Sequence, residues 1–379
     1  MPRSQKTNGY RWLSSGVEIF PALFAAMENA QKTIRLEIYI FANDELGRKF
    51  RDALIAARVR GVRVQVLIDA FGSTTLPDSF WEPLRAVEGE VRVFNPVFYR
   101  RLGFRDHRKM LVCDEDIAYI GGFNVAEEYN GDGITKGWYD VGLEISSPLA
   151  VQLAAAFDEM FSHADSPHQL FLRTTHSSVK RDVTTDAGKL LLSGPSRGRS
   201  LFLRYFRRDL SQAQNVQIIC AYFLPGRRIR RHLNRIARKG GKVQVLFPGK
   251  SDVFVSRLAA QSLYRRMLKA GVEIYEYEPQ VLHAKLMLVD DLVYAGSSNL
   301  DPRSLYLNYE LMVRVKNPKL VAEAREMFAR DLKYAKRVER AEWKKSRTWW
   351  NRMKERWAYF IIARIDPLIA RWDYRRARR

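Results

Sequence analysis

The amino-acid sequence predicts an α/β protein that contains two copies of one domain, followed by a separate C-terminal segment. Short runs rich in β-branched and aromatic residues alternate with helical patterns along most of the chain. With 379 residues, the chain is long enough for two domains. Hydrophobic residues make up 46% of the sequence, which is enough for two cores and excludes a disordered chain.

The duplication is visible in three runs that recur in the same order about 180 positions later. These runs are residues 34–41, 64–67 and 91–94, matched by residues 216–223, 243–246 and 272–275. So long a period is not that of a solenoid repeat and indicates a duplicated domain.

Domain limits follow from the polar stretch at residues 162–186, which has little periodicity and separates the two copies. We predict a first domain at residues 1–186, a second at 187–340 and a tail at 341–379. Between the strands lie helical patterns such as the one ending at Arg238, in which Ile229, Leu233 and Ile236 share one face.

The charge of the chain indicates an anionic partner. Lysine and arginine number 64 against 42 acidic residues, a formal net charge of +22. Such an excess suits nucleic acid or an anionic membrane surface. The only two cysteines, Cys113 and Cys220, each lie in an apolar run, which excludes a disulfide scaffold and argues against a cysteine-based zinc site.

We expect neither a signal peptide nor a membrane-spanning helix. The N-terminal residues 1–16 are polar and lack the apolar core of a signal peptide. A spanning helix needs about 20 apolar residues, and the longest apolar stretch near the C-terminus, residues 357–363, is far shorter. Membrane contact is therefore expected to be peripheral.

One pattern, H-x-K-x4-D, occurs twice at equivalent points of the repeat. Its members are His107, Lys109 and Asp114 in the first copy and His283, Lys285 and Asp290 in the second. The second hairpin is one residue shorter than the first, so Asp291 is an alternative to Asp290.

The spacing of the pattern indicates phosphodiester chemistry. Residues two apart in an extended segment point the same way, so each histidine and its lysine project together. If the halves pack about a pseudo-twofold axis, both pairs reach one pocket. There the lysines would hold phosphate oxygens, one histidine would attack phosphorus and the other would protonate the leaving oxygen. The aspartates lie at strand ends, which favours a structural role over proton transfer.

Residues after each motif complete the predicted site. Asn124, Ser297 and Asn299 lie in turns and are candidate donors to phosphate oxygens. Asp140 and Glu310 follow the two histidines, and a carboxylate at Nδ1 would fix the tautomer that leaves Nε2 reactive. No metal-ligand cluster accompanies the motifs, so we predict no metal and no cofactor.

The tail combines aromatic and basic residues. It holds 12 basic and 4 acidic residues and five of the eight tryptophans. Trp350, Met353, Trp357 and Ile361 fall at helical spacing, which is typical of a helix that lies in the headgroup plane of a membrane. The alternatives are that this helix packs on the protein's own second domain, or that it binds single-stranded nucleic acid.

On these motifs the sequence resembles the phospholipase D superfamily, named for its paired HKD motifs, over residues 8–330. Within it, the runs at residues 36–41, 121–124, 221–225 and 296–304 are most similar to bacterial cardiolipin synthases of the short type, without N-terminal membrane helices. The resemblance implies duplicated α/β/α sandwich domains related by a pseudo-twofold axis.

The resemblance also implies an activity: phosphatidyl transfer from phosphatidylglycerol or a similar phospholipid to the hydroxyl of a second phospholipid, through a phosphohistidine and without metal. His107 would be the nucleophile and His283 the general acid and then base. The expected partners are phospholipids and an anionic membrane surface, at the cytoplasmic face of the cell membrane. Nucleic acid is the less favoured partner. Two other activities stay open: hydrolysis by a phospholipase D, in which water replaces the lipid alcohol, and an HKD-family nuclease.

Overall fold

The computed structural model describes residues 9–95, 105–146, 148–164, 182–185, 188–195 and 200–365. Within these ranges the chain forms two β-sheets, each with parallel and antiparallel strand pairs.

The first sheet has seven strands in the order β1-β7-β6-β5-β2-β3-β4. The strands are β1 (Gly9–Ser14), β2 (Thr33–Ile38), β3 (Arg63–Asp69), β4 (Glu90–Phe94), β5 (Met110–Cys113), β6 (Ile117–Gly121) and β7 (Val141–Ser146). Strands β2, β3 and β4 are parallel, and the other neighbours are antiparallel.

The second sheet has nine strands in the order β16-β12-β11-β10-β13-β14-β15-β9-β8. The strands are β8 (Asp182–Thr185), β9 (Gly188–Ser193), β10 (Asn215–Cys220), β11 (Lys242–Lys250), β12 (Glu273–Val281), β13 (Lys285–Val289), β14 (Leu292–Gly296), β15 (Glu310–Val315) and β16 (Ala335–Arg337). Strands β10 to β15 repeat the order and directions of β2 to β7, and β9 occupies the edge that β1 occupies in the first sheet. The predicted duplication is confirmed.

Eleven helices of the described residues cover the sheets. They are α1 (Gly16–Asn29), α2 (Glu45–Val59), α3 (Glu82–Ala86), α4 (Pro148–His163), α5 (Leu201–Leu210), α6 (Arg227–Arg238), α7 (Phe254–Lys269), α8 (Pro302–Tyr306), α9 (Pro318–Leu332), α10 (Arg340–Ser346) and α11 (Trp349–Phe360). Side-chain caps define several starts: Asp44 accepts a hydrogen bond from Gly47 N at α2, and Ser200 accepts one from Leu203 N at α5.

Three hydrophobic clusters hold these layers together. One joins the first sheet to α1, α2 and α3, and another joins the second sheet to α5, α6 and α7. The third lies between the sheets, where Met110 and Leu286 from the two halves meet around α4 and α9. The predicted α/β/α sandwiches are therefore present, and they share one helical layer, formed by α4 and α9 between the two sheets. Ile229, Leu233 and Ile236 form the buried face of α6, as the periodicity predicts.

One strand near the predicted boundary between the halves pairs within the second sheet. Strand β8 pairs with β9 and so belongs to the second sheet, although the prediction assigned residues up to 186 to the first domain. The polar composition of this stretch suits an edge strand as well as a linker. Residues 165–181 of the predicted linker lie outside the described residues.

The tail packs on the second half. The Trp343 ring lies 4.8 Å from the Tyr264 ring of α7, and Ala358 of α11 is only 4% exposed. The opposite face of α11 stays exposed, including Trp350 and Trp357. Residues 366–379 lie outside the described part of the chain. No helix in the described residues is long and apolar enough to cross a membrane.

Candidate active site

The two halves meet at the segments that carry the repeated motif. His107 N donates to the carbonyl of Tyr309 at 3.0 Å, and His283 N donates to the carbonyl of Tyr139 at 2.8 Å. Each tyrosine N–H bonds back to the residue two positions before the same histidine. The backbone of each motif histidine is therefore fixed by the opposite half, in a reciprocal arrangement that fits a pseudo-twofold axis.

The carboxylates at the imidazoles also come from the opposite half. Nδ1 of His107 lies 3.0 Å from Oε1 and 3.1 Å from Oε2 of Glu310. Nδ1 of His283 lies 2.7 Å from Oδ2 of Asp140. The sequence order suggests that each acid contacts the histidine that precedes it. In the structure the pairing is the opposite: Glu310 contacts His107, and Asp140 contacts His283. In both pairs a carboxylate faces Nδ1, which favours a reactive Nε2, and Nε2 of His283 also lies 3.1 Å from Nζ of Lys285.

The two carboxylates differ in their protonation behaviour. Burial raises the pKa of Glu310 to about 7, and the nearby charge of Lys109 and hydrogen bonds from Ser297 and Ser304 only partly oppose this. Burial acts on Asp140 in the same direction, but the Lys285 charge and the contact with His283 outweigh it, so the pKa of Asp140 lies below its usual value. Asp140 is thus ionised at neutral pH, whereas Glu310 titrates there.

A glycine makes room for Asp140. A Cβ atom on Gly122 would lie 2.5 Å from Oδ1 of Asp140, so a larger residue at this position would displace the carboxylate. At the corresponding position after β14 stands Ser297, whose hydroxyl donates to Oε2 of Glu310. This serine was predicted as a phosphate donor, and the structure shows it bonded to the Glu310 carboxylate.

Both motif lysines are buried and turn back to their own histidine. Nζ of Lys109 donates to the carbonyl of His107 at 2.8 Å, and Nζ of Lys285 donates to the carbonyl of His283. Nζ of Lys285 also lies 2.9 Å from Nδ1 of His283. Each lysine is therefore held beside its imidazole, as the i, i+2 spacing predicts.

The basic groups of the cleft are all held below their usual pKa. Burial is the largest cause for both histidines and both lysines, and lysine charges add to it at the histidines. The pKa of Lys109 falls to about 7. His107 also feels the charges of Lys285 and His283, which places the two motifs in one electrostatic site. A phosphate anion would supply the negative charge that these buried cations lack, so the cleft favours an anionic ligand.

Aromatic rings surround both imidazoles. The Tyr39 ring lies 4.9 Å from that of His107, edge to face. Three rings lie 5.3, 5.8 and 6.2 Å from the ring of His283, namely those of Tyr129, Trp138 and Tyr222. None was predicted as a site residue. Their only sequence signal is their position beside the motif runs, as with Trp138 two residues before Asp140.

The motif aspartates lie away from the imidazoles. Asp114 accepts hydrogen bonds from three consecutive backbone N–H groups, residues 31–33, at the start of β2. Asp290 does the same with residues 214 and 215 at the start of β10. Each follows the strand that its histidine precedes, so a whole strand separates them. Both aspartates therefore fasten the ends of their hairpins to the neighbouring strands. The second hairpin uses Asp290 for this contact, while Asp291 is exposed.

The two predicted asparagines brace the loops beside the histidines. Oδ1 of Asn124 accepts from Ile40 N at 3.0 Å, and its Nδ2 donates to the hydroxyl of Tyr129. Oδ1 of Asn299 accepts from Tyr222 N at 3.2 Å. Because both ends of its amide are used, Asn124 positions these loops, and one N–H of its Nδ2 remains. Nδ2 of Asn299 makes no hydrogen bond with the residues that the structure describes.

A buried polar triad lies behind His107. Glu37, Asp106 and Arg108 are each at most 2% exposed, and Arg108 NH1 lies 4.0 Å from Oε1 of Glu37. Burial and the neighbouring Asp106 raise the pKa of Glu37 well above its usual value. The strand registers place apolar residues at the equivalent positions of the second half: Ile219, Leu282 and Ala284. No sequence pattern predicted this difference between the halves.

Comparison with protein families agrees with this geometry. The sequence model of the family described as "Cardiolipin synthase, PLD-like domain" matches residues 23–164 and 206–332, and each segment contains one motif. Cardiolipin synthase B of Salmonella typhimurium is 32% identical over 375 residues, which cover 96% of this chain and 89% of that protein. Cardiolipin synthase 1 of Bacillus cereus is 31% identical over 370 residues, covering 94% of this chain and 72% of that protein.

A solved structure with the same fold is also similar. The crystal structure of phosphatidylserine synthase from Haemophilus influenzae Rd KW20 matches with a TM-score of 0.77 and 15% identity, over 95% of this chain and 94% of that chain. At this identity the likeness shows the fold alone.

Proposed function

Because this chain belongs to the family of cardiolipin synthase PLD-like domain proteins, we propose that it is a phosphatidyltransferase that moves a phosphatidyl group from phosphatidylglycerol to the hydroxyl of a second phospholipid. The observation that carries this proposal is the pair of buried imidazoles, each held at Nδ1 by a carboxylate of the opposite half and each beside a buried lysine.

In the first step His107 is the nucleophile. Its pKa is held well below the usual value by burial and by the charges of Lys109 and Lys285, so the imidazole is neutral, and an ionised Glu310 at Nδ1 favours the tautomer with a free Nε2. The Nε2–phosphorus bond forms as the phosphorus–oxygen bond to glycerol breaks. His283 gives its Nε2 proton to the departing oxygen, and glycerol leaves.

The pairing of His283 with Asp140 supports its role as proton carrier. An ionised carboxylate at Nδ1 stabilises the imidazolium form, and Asp140 is the carboxylate whose pKa is lowered. Lys109 and Lys285 supply positive charge for the non-bridging phosphate oxygens.

In the second step the hydroxyl of an acceptor lipid loses its proton to Nε2 of His283. Its oxygen attacks phosphorus while the bond to Nε2 of His107 breaks, which restores the enzyme and releases cardiolipin. The alternative, hydrolysis by a phospholipase D, differs only in that water makes this attack. Burial of both histidine side chains, which are 11% and 5% exposed, limits water at the intermediate and favours transfer.

A product assay tests this proposal. Purified protein is mixed with headgroup-labelled and acyl-labelled phosphatidylglycerol in mixed micelles with EDTA, and the products are resolved by mass spectrometry. Cardiolipin with free glycerol is expected. Phosphatidic acid alone makes the protein a hydrolase. Unchanged lipid with cleavage of labelled single-stranded DNA favours the nuclease.

An anionic membrane surface is the proposed partner, at the cytoplasmic face. Supporting this, α11 exposes Trp349, Trp350, Trp357 and Phe360 while its other face packs on α7. A hydroxyl–guanidinium contact joins Tyr359 to Arg230 in the first turn of α6. Aromatic side chains beside arginines suit the interface of an anionic bilayer.

A further inference from the structure

The two sides of the cleft carry different charged groups: the His107 side has arginines together with Glu310 and with Asp69, whose Oδ1 lies 3.9 Å from Nη1 of Arg105. Arg105 is 4% exposed and its guanidinium lies 4.7 Å from the centre of the Phe71 ring. Burial raises the pKa of Tyr39 to about 12, and both Arg105 and Arg303 are close enough to oppose that rise. Since the Tyr39 ring packs against His107, two guanidinium groups lie on this side.

The His283 side carries an acid. The Tyr222 ring meets that of His283 at 6.2 Å and 82°, and its hydroxyl donates to Oδ2 of Asp252. Asp252 lies at the exposed start of α7. Its charge acts to raise the pKa of both His283 and Lys285, although burial lowers these overall. Oδ1 of Asp252 accepts no hydrogen bond within the described ranges.

The described residues of the first half have no counterpart at the same positions, although the Tyr39 ring meets that of His107 and the charge of Asp69 acts on Tyr39. Tyr222 N bonds to Asn299 as Ile40 N bonds to Asn124, so an isoleucine stands where the second half has the tyrosine. The loop after β3, residues 70–77, contains no acidic residue. If the duplicated fold required this pair, it would occur in both halves. The Tyr222–Asp252 pair therefore serves something that is specific to the His283 side of the cleft.

We propose that Tyr222 and Asp252 form the subsite for the alcohol part of the substrates, both the leaving headgroup and the entering one. This inference rests on the proposed function, in which alcohols leave and enter at His283. The subsite would take an alcohol that carries a second hydrogen-bond donor, a hydroxyl or an ammonium group.

The chemistry of the pair accounts for this choice. A carboxylate only accepts hydrogen bonds, so it binds hydroxyl or ammonium hydrogens and repels a phosphate. The tyrosine hydroxyl orients the carboxylate and keeps an acceptor lone pair of its own. Phosphate is therefore directed to the side of Arg105 and Arg303, and the alcohol to the side of the proton carrier.

Competition between soluble alcohols tests this subsite. Phosphatidyl transfer from unlabelled phosphatidylglycerol to isotope-labelled glycerol, ethanolamine or 1-propanol is measured for the wild type, Asp252→Asn and Tyr222→Phe. We expect Asp252→Asn to lower the kcat/KM ratio of glycerol to 1-propanol about 10-fold, the effect of one lost charge-assisted hydrogen bond. Tyr222→Phe should lower it in the same direction. A fall confined to ethanolamine assigns the subsite to an ammonium group, and one confined to glycerol assigns it to a hydroxyl.

Asp291→Asn is the matched control, because Asp291 loses the same charge on an exposed hairpin at the far end of β13. It should leave the ratio unchanged. If Asp252→Asn lowers transfer to all three alcohols by one factor, the aspartate acts only through His283 and the subsite is refuted. A wild-type protein that forms neither a phosphatidyl alcohol nor cardiolipin contradicts the proposed function instead, whereas one that forms cardiolipin but no phosphatidyl alcohol refutes the subsite.

Discussion

Nδ1 of His283 lies 2.7 Å from Oδ2 of Asp140, although the two residues belong to different halves of the chain. His107 and Glu310 form the reciprocal pair. Each histidine therefore takes its carboxylate partner from the other half. Duplication within one chain supplies both carboxylates. The site depends on how the halves dock, and the shared core between the sheets fixes that docking.

Asp140→Asn tests this exchange between halves. The neutral amide would neither stabilise the His283 imidazolium nor hold the same tautomer, so we expect kcat to fall about 10³-fold or more. Transfer assays measure the loss, and far-UV circular dichroism checks that the variant is folded. Asp114→Asn should leave kcat within about 3-fold if folding is intact, since Asp114 contacts only backbone at a strand end. Equal loss of kcat in two folded variants would contradict the assignment.

The pH dependence of kcat/KM should reveal the titration of Glu310 and Lys109. Below a pKa of about 7 Glu310 is protonated and donates a hydrogen bond to Nδ1 of His107, so the ring hydrogen lies on Nε2, which removes the nucleophile. Above a pKa of about 7 Lys109 loses the charge that binds phosphate. We therefore expect kcat/KM to rise and then fall around neutrality.

Bound phosphate raises the pKa of Lys109, so the alkaline limb of kcat should lie at higher pH than that of kcat/KM. Initial rates across roughly pH 5 to 9 separate these profiles. A flat kcat/KM profile would show that neither group titrates near 7.

The polar triad behind His107 should be replaceable only as a unit. Arg108→Ala removes the one cation of this buried cluster, and we expect it to lower the free energy of unfolding by about 3–5 kcal/mol. Replacing all three with the residues of the second half, Glu37→Ile, Asp106→Leu and Arg108→Ala, should recover most of that loss. Urea unfolding measures both. A triple variant less stable than Arg108→Ala would contradict this account.

The exposed face of α11 should control membrane binding. We expect Trp350→Ala with Trp357→Ala to weaken partitioning onto phosphatidylglycerol vesicles at least about 10-fold, since both rings are exposed on the protein and free to enter the interface. Turnover on detergent-solubilised lipid should change little. Point variants are preferable to deletion of the tail, because Trp343 and Ala358 pack on the second half. Val17→Ala with Val59→Ala, on α1 and α2, is the control, and equal sedimentation of both variants would exclude the α11 face.

Much of the fold was predictable because its signals are local or repeated. Strand runs, the duplicated order of elements and the buried face of α6 follow from periodicity within short windows. The two motifs were recognisable because the same pattern occurs twice. The i, i+2 spacing predicted that each lysine lies beside its histidine.

Contacts between the halves were not predictable in the same way. The exchange of Asp140 and Glu310 depends on docking, which no spacing encodes. The tail is another case, since an amphipathic helix with aromatic residues on two faces fits both a membrane and a protein surface, and α11 uses one face for the protein. Asp252 lies in no recognisable sequence motif. Only its contact with Tyr222, whose ring lies beside that of His283, shows that it is near the site.

The most direct test of the mechanism is to locate the covalent intermediate. A phosphatidyl ester of p-nitrophenol has a leaving group that needs no general acid, so His283→Ala should still form the adduct but resolve it slowly. We predict a burst of one equivalent of p-nitrophenol per protein and a phosphatidyl group on His107 by mass spectrometry, with no burst in His107→Ala. An adduct on His283, or turnover without any adduct, would contradict the account.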